Sequence, residues 1–240
     1  MANFIRDILQ EYGDDFYVFG EFWNNDEVAN NDYLENIDYR FDLVDVKLHT
    51  NLFEASQKGE QYDLRTIFDH TLVKNHPESA VTFVENHDTQ RGQALESTVE
   101  EWFKPAAYAL ILLRESGLPC IFYGDYYGIS GEFAQQDFQE EIDKLLDLRL
   151  NLAYGEETDY FDDPNCIGWT RAGQDGGQPI AVLISNATAT SKRMYFGQDW
   201  SGHECSDYLG NFQTIVTIDE EGWGEFPVEE QSVSVWSIKN

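Results

Sequence analysis

The sequence predicts an α/β chain made of four strand–helix units in series, followed by a small antiparallel β-sandwich. Three observations predict it. Short apolar runs, too short for helices, alternate with stretches of helical period through the first part of the chain. The first of them, Phe16 to Phe19, is unbroken, as expected of a parallel strand buried on both faces. From about residue 154 the helical period stops and short β-rich runs separated by turn signals take over. The boundary drawn there gives two domains, residues 1–154 and 155–240.

Residues 3–12 have helical spacing, with Phe4, Ile5, Ile8 and Leu9 on one stripe and Gly13 as the stop. Phe16-Tyr17-Val18-Phe19 reads as the first strand, buried on both faces. Leu43 to Leu48 is the second strand, with helical stretches near 49–57 and 64–73 behind it. Ala80 to Val84 is the third. The helix after it runs from Pro105, at a first helical position, to about Glu115, with Gly117 past its end. Cys120-Ile121-Phe122-Tyr123 is the fourth strand, leading to an amphipathic helix at 138–152 through Phe138, Ile142, Leu145, Leu146 and Leu148. Four such units are half of a closed eight-stranded barrel. The sandwich is predicted from Cys166–Thr170, Ile180–Ser185, Arg193–Phe196, Gln213–Ile218 and Ser232–Ile238.

Composition narrows the function. With 45 acidic against 15 basic residues the formal charge is -30, a field that repels phosphate backbones and leaves a neutral ligand such as a sugar unaffected. The acidity fits a high-salt interior or an ordinary acidic cytosolic surface. No run of about 18 apolar residues is present, so nothing is expected to span a membrane, and the opening residues contain no signal-peptide core. Cys120, Cys166 and Cys205 are odd in number and widely spaced, which suits free, mostly buried thiols in a reducing compartment.

The chemistry is expected where strands end, because the C-terminal strand ends of parallel barrels form the active face. The first strand runs into Gly20-Glu21-Phe22-Trp23 and the third into Glu85-Asn86-His87-Asp88. Two carboxylates in such places suit glycosidic cleavage, which needs an acid to protonate the leaving oxygen and negative charge beside an oxocarbenium-like centre. Glu21 behind a buried strand is expected to be desolvated and raised toward a general acid's range. Asp88, with His87 and Asn86 beside it, is expected to be held ionised. Trp23 offers a flat face to a pyranose ring.

These two blocks resemble the α-amylase family of glycoside hydrolases, nearest its bacterial liquefying and cytoplasmic members. The likeness continues through Trp102-Phe103-Lys104-Pro105, Ile121 to Asp125, Phe161 to Asn165 and Ser232 to Trp236. It implies the C-terminal half of a (β/α)8 barrel, strands five to eight, followed by the family's β-domain. It further implies Glu21 as general acid/base, Asp88 as the transition-state-stabilising carboxylate and His87 as a sugar ligand. The implied substrates are starch, glycogen and maltooligosaccharides, hydrolysed at α-1,4 bonds with retention, in the cytoplasm. The family's nucleophile, an aspartate in a Gly-Phe-Arg-x-Asp-Ala motif, has no counterpart in these residues, so the chain alone is expected to be inactive. Met1 matches a position inside a helix of the family.

The family's calcium is expected to find little here. Its main site draws on the half not represented, and a second site in some relatives uses acidic residues near positions matching Asn165 and Asn186. Two other readings stay open: a non-catalytic carbohydrate-binding or partner-interacting protein, and a half-barrel that closes its sheet by pairing with a second copy. Asn186-Ala187-Thr188 reads as a turn. His49 either reaches the active face or caps a helix start, and Asp45 and Asp125 end strands without further signal. His70, His76 and His203 read as surface residues, and the acidic stretches 24–38 and 156–163 as solvated loops, the first of which follows Trp23 and is placed to line a sugar groove.

Overall fold

The protein is described here by a computed structural model covering residues 2–12 and 16–239. The expected stop at Gly13 and the Leu9 side chain fall outside what it describes. Helix α1 (Ala2–Tyr12) half-buries Ile5 and Ile8 and leaves Phe4 exposed.

A parallel sheet follows, with β1 (Phe19–Gly20), β2 (Asp42–Val44), β3 (Ala80–Phe83) and β4 (Leu118–Cys120) in that spatial order. Register is fixed by Gly20 opposite Leu43, Val44 opposite Val81, and Phe83 opposite Cys120. Helices α2 (Glu27–Asn36), α3 (Val46–Lys58), α4 (Leu72–Asn75), α5 (Lys104–Leu112), α6 (Tyr123–Tyr127) and α7 (Gln139–Asn151) connect or cover these strands. The main core joins α3, α5 and α7 to Ile167, Trp169, Val182 and Val235 of the β-domain, so both parts share one apolar interior.

The β-domain is a six-stranded antiparallel sheet in the order β10 (Val216–Thr217), β9 (Glu204–Asp207), β12 (Ser232–Ile238), β7 (Ile180–Ser185), β6 (Cys166–Arg171), β5 (Glu157–Asp163). A two-stranded antiparallel sheet of β8 (Thr190–Tyr195) and β11 (Trp223–Val228) lies against its other face. Leu183, Met194, Phe226 and Trp236 fill the space between them. Strands β6 and β7 are buried on both faces, which explains the unbroken apolar run Ile180–Ile184 in β7.

Several expectations need correcting. The first strand is not buried on both faces: Phe16, Tyr17 and Phe19 are 51%, 52% and 46% exposed, because β1 pairs only with β2 and nothing described covers its outer edge. The second strand stops at Val44, since Asp45 accepts the Leu48 amide and starts α3. The stretch 64–73 forms one 3-10 turn and the beginning of α4 instead of a single helix. The fourth strand lies at 118–120, and Tyr123 already belongs to α6. Residues 24–38 contain α2, capped by the Asp26 carboxylate on Ala29 N. Residues 156–163 contain β5. Both were hidden by charged side chains on the solvent face of a real element. Of the cysteines, Cys120 is exposed while Cys166 and Cys205 are buried.

Candidate active site

All four parallel strands point the same way, so Glu21, just after β1, and Glu85 to Asp88, just after β3, emerge at one end of the sheet. With β2 between them, β1 and β3 are roughly 10 Å apart at about 4.8 Å per strand. Glu21 is exposed and has no hydrogen-bond partner among the described residues. The burial expected around it is therefore not supplied by this part of the molecule.

Trp23 is half-buried over the inner face of the sheet, its ring centroid 6.2 Å from both Phe83 and His49. His49 neither caps a helix nor opens onto the site. It is buried within α3, stacked on Phe83 at 5.0 Å, with Nδ1 at 2.8 Å from Val84 O and Nε2 at 2.8 Å from Ser97 Oγ. Burial lowers its pKa to about 4, so the ring is neutral and serves as a brace for the end of β3.

The loop carrying Asp88 is a tight turn held by its own side chains. Asn86 Oδ1 accepts from the amides of Asp88 and Thr89 at 2.9 and 3.0 Å, and Thr89 Oγ1 accepts from Asn86 N at 2.9 Å. Asn86 thus serves the backbone and not the Asp88 carboxylate. His87 and Asp88 project outward, their side chains 72% and 40% exposed, with His87 Nε2 3.6 Å from Asp88 Oδ1. Both are free to meet a ligand.

Behind this loop lies a cluster that sequence reasoning missed. Lys104 Nζ, fully buried, bonds Glu85 Oε2 at 2.6 Å and also Asp125 Oδ1. Asp125 further accepts from the Tyr108 hydroxyl at 2.6 Å and from Gln135 Nε2 at 2.7 Å. Glu85 Oε1 is buried with no hydrogen-bond partner among the described residues. Burial pushes the Glu85 carboxyl up to about 7; the nearby Asp125 charge adds to this and Lys104 opposes it. The signal available in the sequence was the lone lysine at the head of Lys104–Leu112, a helix apolar all round, where a cation has to find a buried partner.

The remaining candidates are structural. Asp45 is buried and accepts from Leu48 N and Val73 N. His70 pairs with Glu27 at 2.7 Å and His76 bonds Asn31 at 2.9 Å, while His203 is exposed. No group of three or more His, Cys, Asp or Glu side chains among the described residues is arranged to hold a metal ion. Asn165 and Asn186 stand at the junction of the two parts, and each turns its amide nitrogen, which is no calcium ligand, toward the backbone carbonyls there. No described helix is long and apolar enough to cross a membrane.

A parallel strand–helix segment with carboxylates at its C-terminal strand ends, continued by an antiparallel β-domain, defines a barrel-type enzyme architecture. The alpha amylase catalytic domain profile matches residues 1–177 and the alpha-amylase C-terminal profile residues 180–237. The glucan 1,4-alpha-maltohexaosidase of Bacillus sp. (strain 707) is 44% identical over 99% of this chain and 46% of that protein. The alpha-amylase of Bacillus licheniformis is 42% identical over 98% and 47%, and the cytoplasmic alpha-amylase of Escherichia coli (strain K12) 40% over 93% and 47%. Among solved structures, the cyclomaltodextrin glucanotransferase CldA superposes with a TM-score of 0.71 over 100% of this chain and 53% of its own, at 20% identity. An Anoxybacillus alpha-amylase gives 0.69 over 99% and 55%, at 18% identity. The chain belongs to the alpha-amylase family. Its parallel sheet is the C-terminal half of the family's (β/α)8 barrel, strands five to eight, and it spans less than half the length of the curated relatives it matches.

Proposed function

We propose that these residues form the C-terminal part of an α-amylase that hydrolyses α-1,4-glucosidic bonds of starch, glycogen or maltooligosaccharides. Glu21 acts as general acid/base, Asp88 stabilises the oxocarbenium-like transition state, His87 hydrogen-bonds the sugar at the cleavage point and Trp23 gives it an apolar face. The observation that carries this reading is the emergence of Glu21 and His87-Asp88 from one end of one parallel sheet, all with exposed polar atoms.

Double displacement also needs a nucleophilic carboxylate. No Gly-Phe-Arg-x-Asp motif occurs in the 240 residues, so this chain by itself is inactive in this reading. A neutral glucan suits the net charge of -30 better than a nucleic acid does. A cytoplasmic location is supported by the likeness to the Escherichia coli cytoplasmic enzyme and by three free cysteines.

The test has two parts. Expressed alone, the chain is expected to show no turnover of soluble starch, and measurable turnover contradicts the missing-nucleophile argument. In a protein that also supplies the other half of the barrel, Glu21→Gln is expected to lower kcat at least about 100-fold. Full activity of that variant rules out the acid/base role, whereas maltooligosaccharide binding without any turnover in the unmutated complete protein favours one that only binds carbohydrate.

A further inference from the structure

The junction between the barrel segment and the β-domain is closed by two asparagine side chains facing a ring of carbonyls. Asn186, wholly buried after the end of β7, directs Nδ2 at Gly59 O and Tyr62 O, each at 2.8 Å. Asn165, in the turn between β5 and β6, directs Nδ2 at Glu60 O at 2.8 Å and at Asn186 Oδ1 at 2.9 Å. Each amide nitrogen carries two hydrogens, so all four are used. Carbonyl oxygens only accept hydrogen bonds, and their positions therefore fix which end of each amide is nitrogen. Backbone bonds from Asn186 N to Asn165 O (3.2 Å) and from Leu64 N to Pro164 O (2.8 Å) complete the contact.

Three carbonyls converging from one short loop form half of a cage for a hard cation, which takes six to eight oxygens at about 2.3–2.6 Å. Here the other half of the cage is missing. Amide nitrogen is no ligand for such an ion, and the single amide oxygen turned inward, Asn186 Oδ1, already accepts a hydrogen bond. The neighbouring carboxylates are engaged as well: Asp163 Oδ1 accepts from Asn165 N at 2.8 Å and Asp63 holds Arg65 at 2.7 Å.

We infer that these two amides replace a calcium ion at this junction. Three of their N–H dipoles supply the positive charge the carbonyls require, the fourth ties the two amides together, and the two domains are joined by a metal-independent amide latch. The inference concerns how the domains are joined and stands whether or not the proposed catalytic roles hold.

The experiment is thermal unfolding of the full chain in chelator, in calcium and in magnesium at matched ionic strength. Magnesium is the control for general screening of the acidic surface. The wild-type midpoint is expected to be the same in chelator and in calcium. The double variant Asn165→Asp/Asn186→Asp sets two carboxylates against the same carbonyls. It is expected to unfold roughly 5 °C lower in chelator and to regain most of that in calcium but not in magnesium. A wild-type midpoint that falls on chelation and returns only with calcium overturns the latch, and so does a folded double variant indifferent to calcium. Should the double variant fail to fold, terbium luminescence of the wild type decides the matter. Emission sensitised through Tyr62, beside the cage, is expected to equal that of Tyr62→Phe, and a clear excess in the wild type means that an ion binds there.

Discussion

Lys104 Nζ lies 2.6 Å from Glu85 Oε2 at a place where neither side chain is exposed to solvent. The same ammonium holds Asp125, so one buried cation serves two buried carboxylates. Removing only the cation leaves two acids in a low dielectric with no counter-charge. Lys104→Met is expected to cost about 3–5 kcal/mol in urea denaturation. Neutralising the whole cluster, with Glu85→Gln and Asp125→Asn added, is expected to recover most of that loss, because an isosteric neutral cluster removes the charges that needed pairing. A triple variant as unstable as Lys104→Met alone assigns the loss to packing instead.

Two buried groups give this protein opposing pH responses. Glu85 rises from 4.5 to about 7 on folding, so between those values the native state holds a proton that the unfolded chain has released. Its stabilisation is present below pH 4.5 and is lost as pH rises through 7, at about 1.4 kcal/mol per pH unit. His49 falls from 6.5 to about 4, so over that range the unfolded chain takes up a proton that the native state refuses. That stabilisation is lost as pH falls, with the same slope and the opposite sign. Between pH 4.5 and 6.5 the two are expected to cancel. Glu85→Gln exposes the His49 response, and stability then rises with pH; His49→Gln exposes the Glu85 response, and stability then falls. Urea midpoints at pH 5 and 6.5 check this. Flat profiles in both variants refute it.

The parts of the fold that were legible in the sequence are those where burial dictates composition. Ile180–Ser185 and Ser232–Ile238 match their predicted bounds because these two buried strands admit apolar and small, uncharged residues and no charged ones. Strand β5 (Glu157–Asp163) was not legible, since its residues are half-buried or exposed and four of the seven are acidic. Asp45 defeated the second strand in another way: a cap is a local hydrogen bond, and an apolar run through Val46 and Leu48 looks the same in a strand as in a helix start. The exposed members of the candidate site were readable because they sit in a compact motif at a strand end. Glu85 and Lys104, 19 residues apart, meet only through the strand–helix connection, and spacing in the sequence does not encode that contact.

Asp45 joins elements far apart in the chain. Its Oδ1 caps α3 through Leu48 N at 2.9 Å, and its Oδ2 accepts Val73 N, at the start of α4, at 2.8 Å. Burial raises its pKa, and the backbone amides around it oppose that rise. Asp45→Ala loses the cap and leaves a buried amide unpaired, an expected cost of about 2–4 kcal/mol. Asp45→Asn keeps one acceptor and is expected to fall between. Equal stability of the Ala and Asn variants in guanidinium denaturation removes the second bond from the account.

Asp88 tests whether the exposed end of the sheet is built for chemistry or only for shape. Its carboxylate receives no hydrogen bond from Asn86, whose Oδ1 instead accepts the Asp88 and Thr89 amides. Asp88→Asn therefore leaves the turn intact, and the unfolding midpoint of this chain is expected to move by less than about 0.5 kcal/mol, as for an exposed surface change. In a protein that completes the barrel, the same change removes negative charge from beside the developing oxocarbenium ion. It is expected to lower kcat about 100-fold or more while KM for maltooligosaccharides changes little. Asn86→Ala supplies the contrast: it releases the turn, so activity and stability are expected to fall together. Loss of stability in Asp88→Asn as large as in Asn86→Ala makes Asp88 a structural residue, and the catalytic reading of this strand end fails with it.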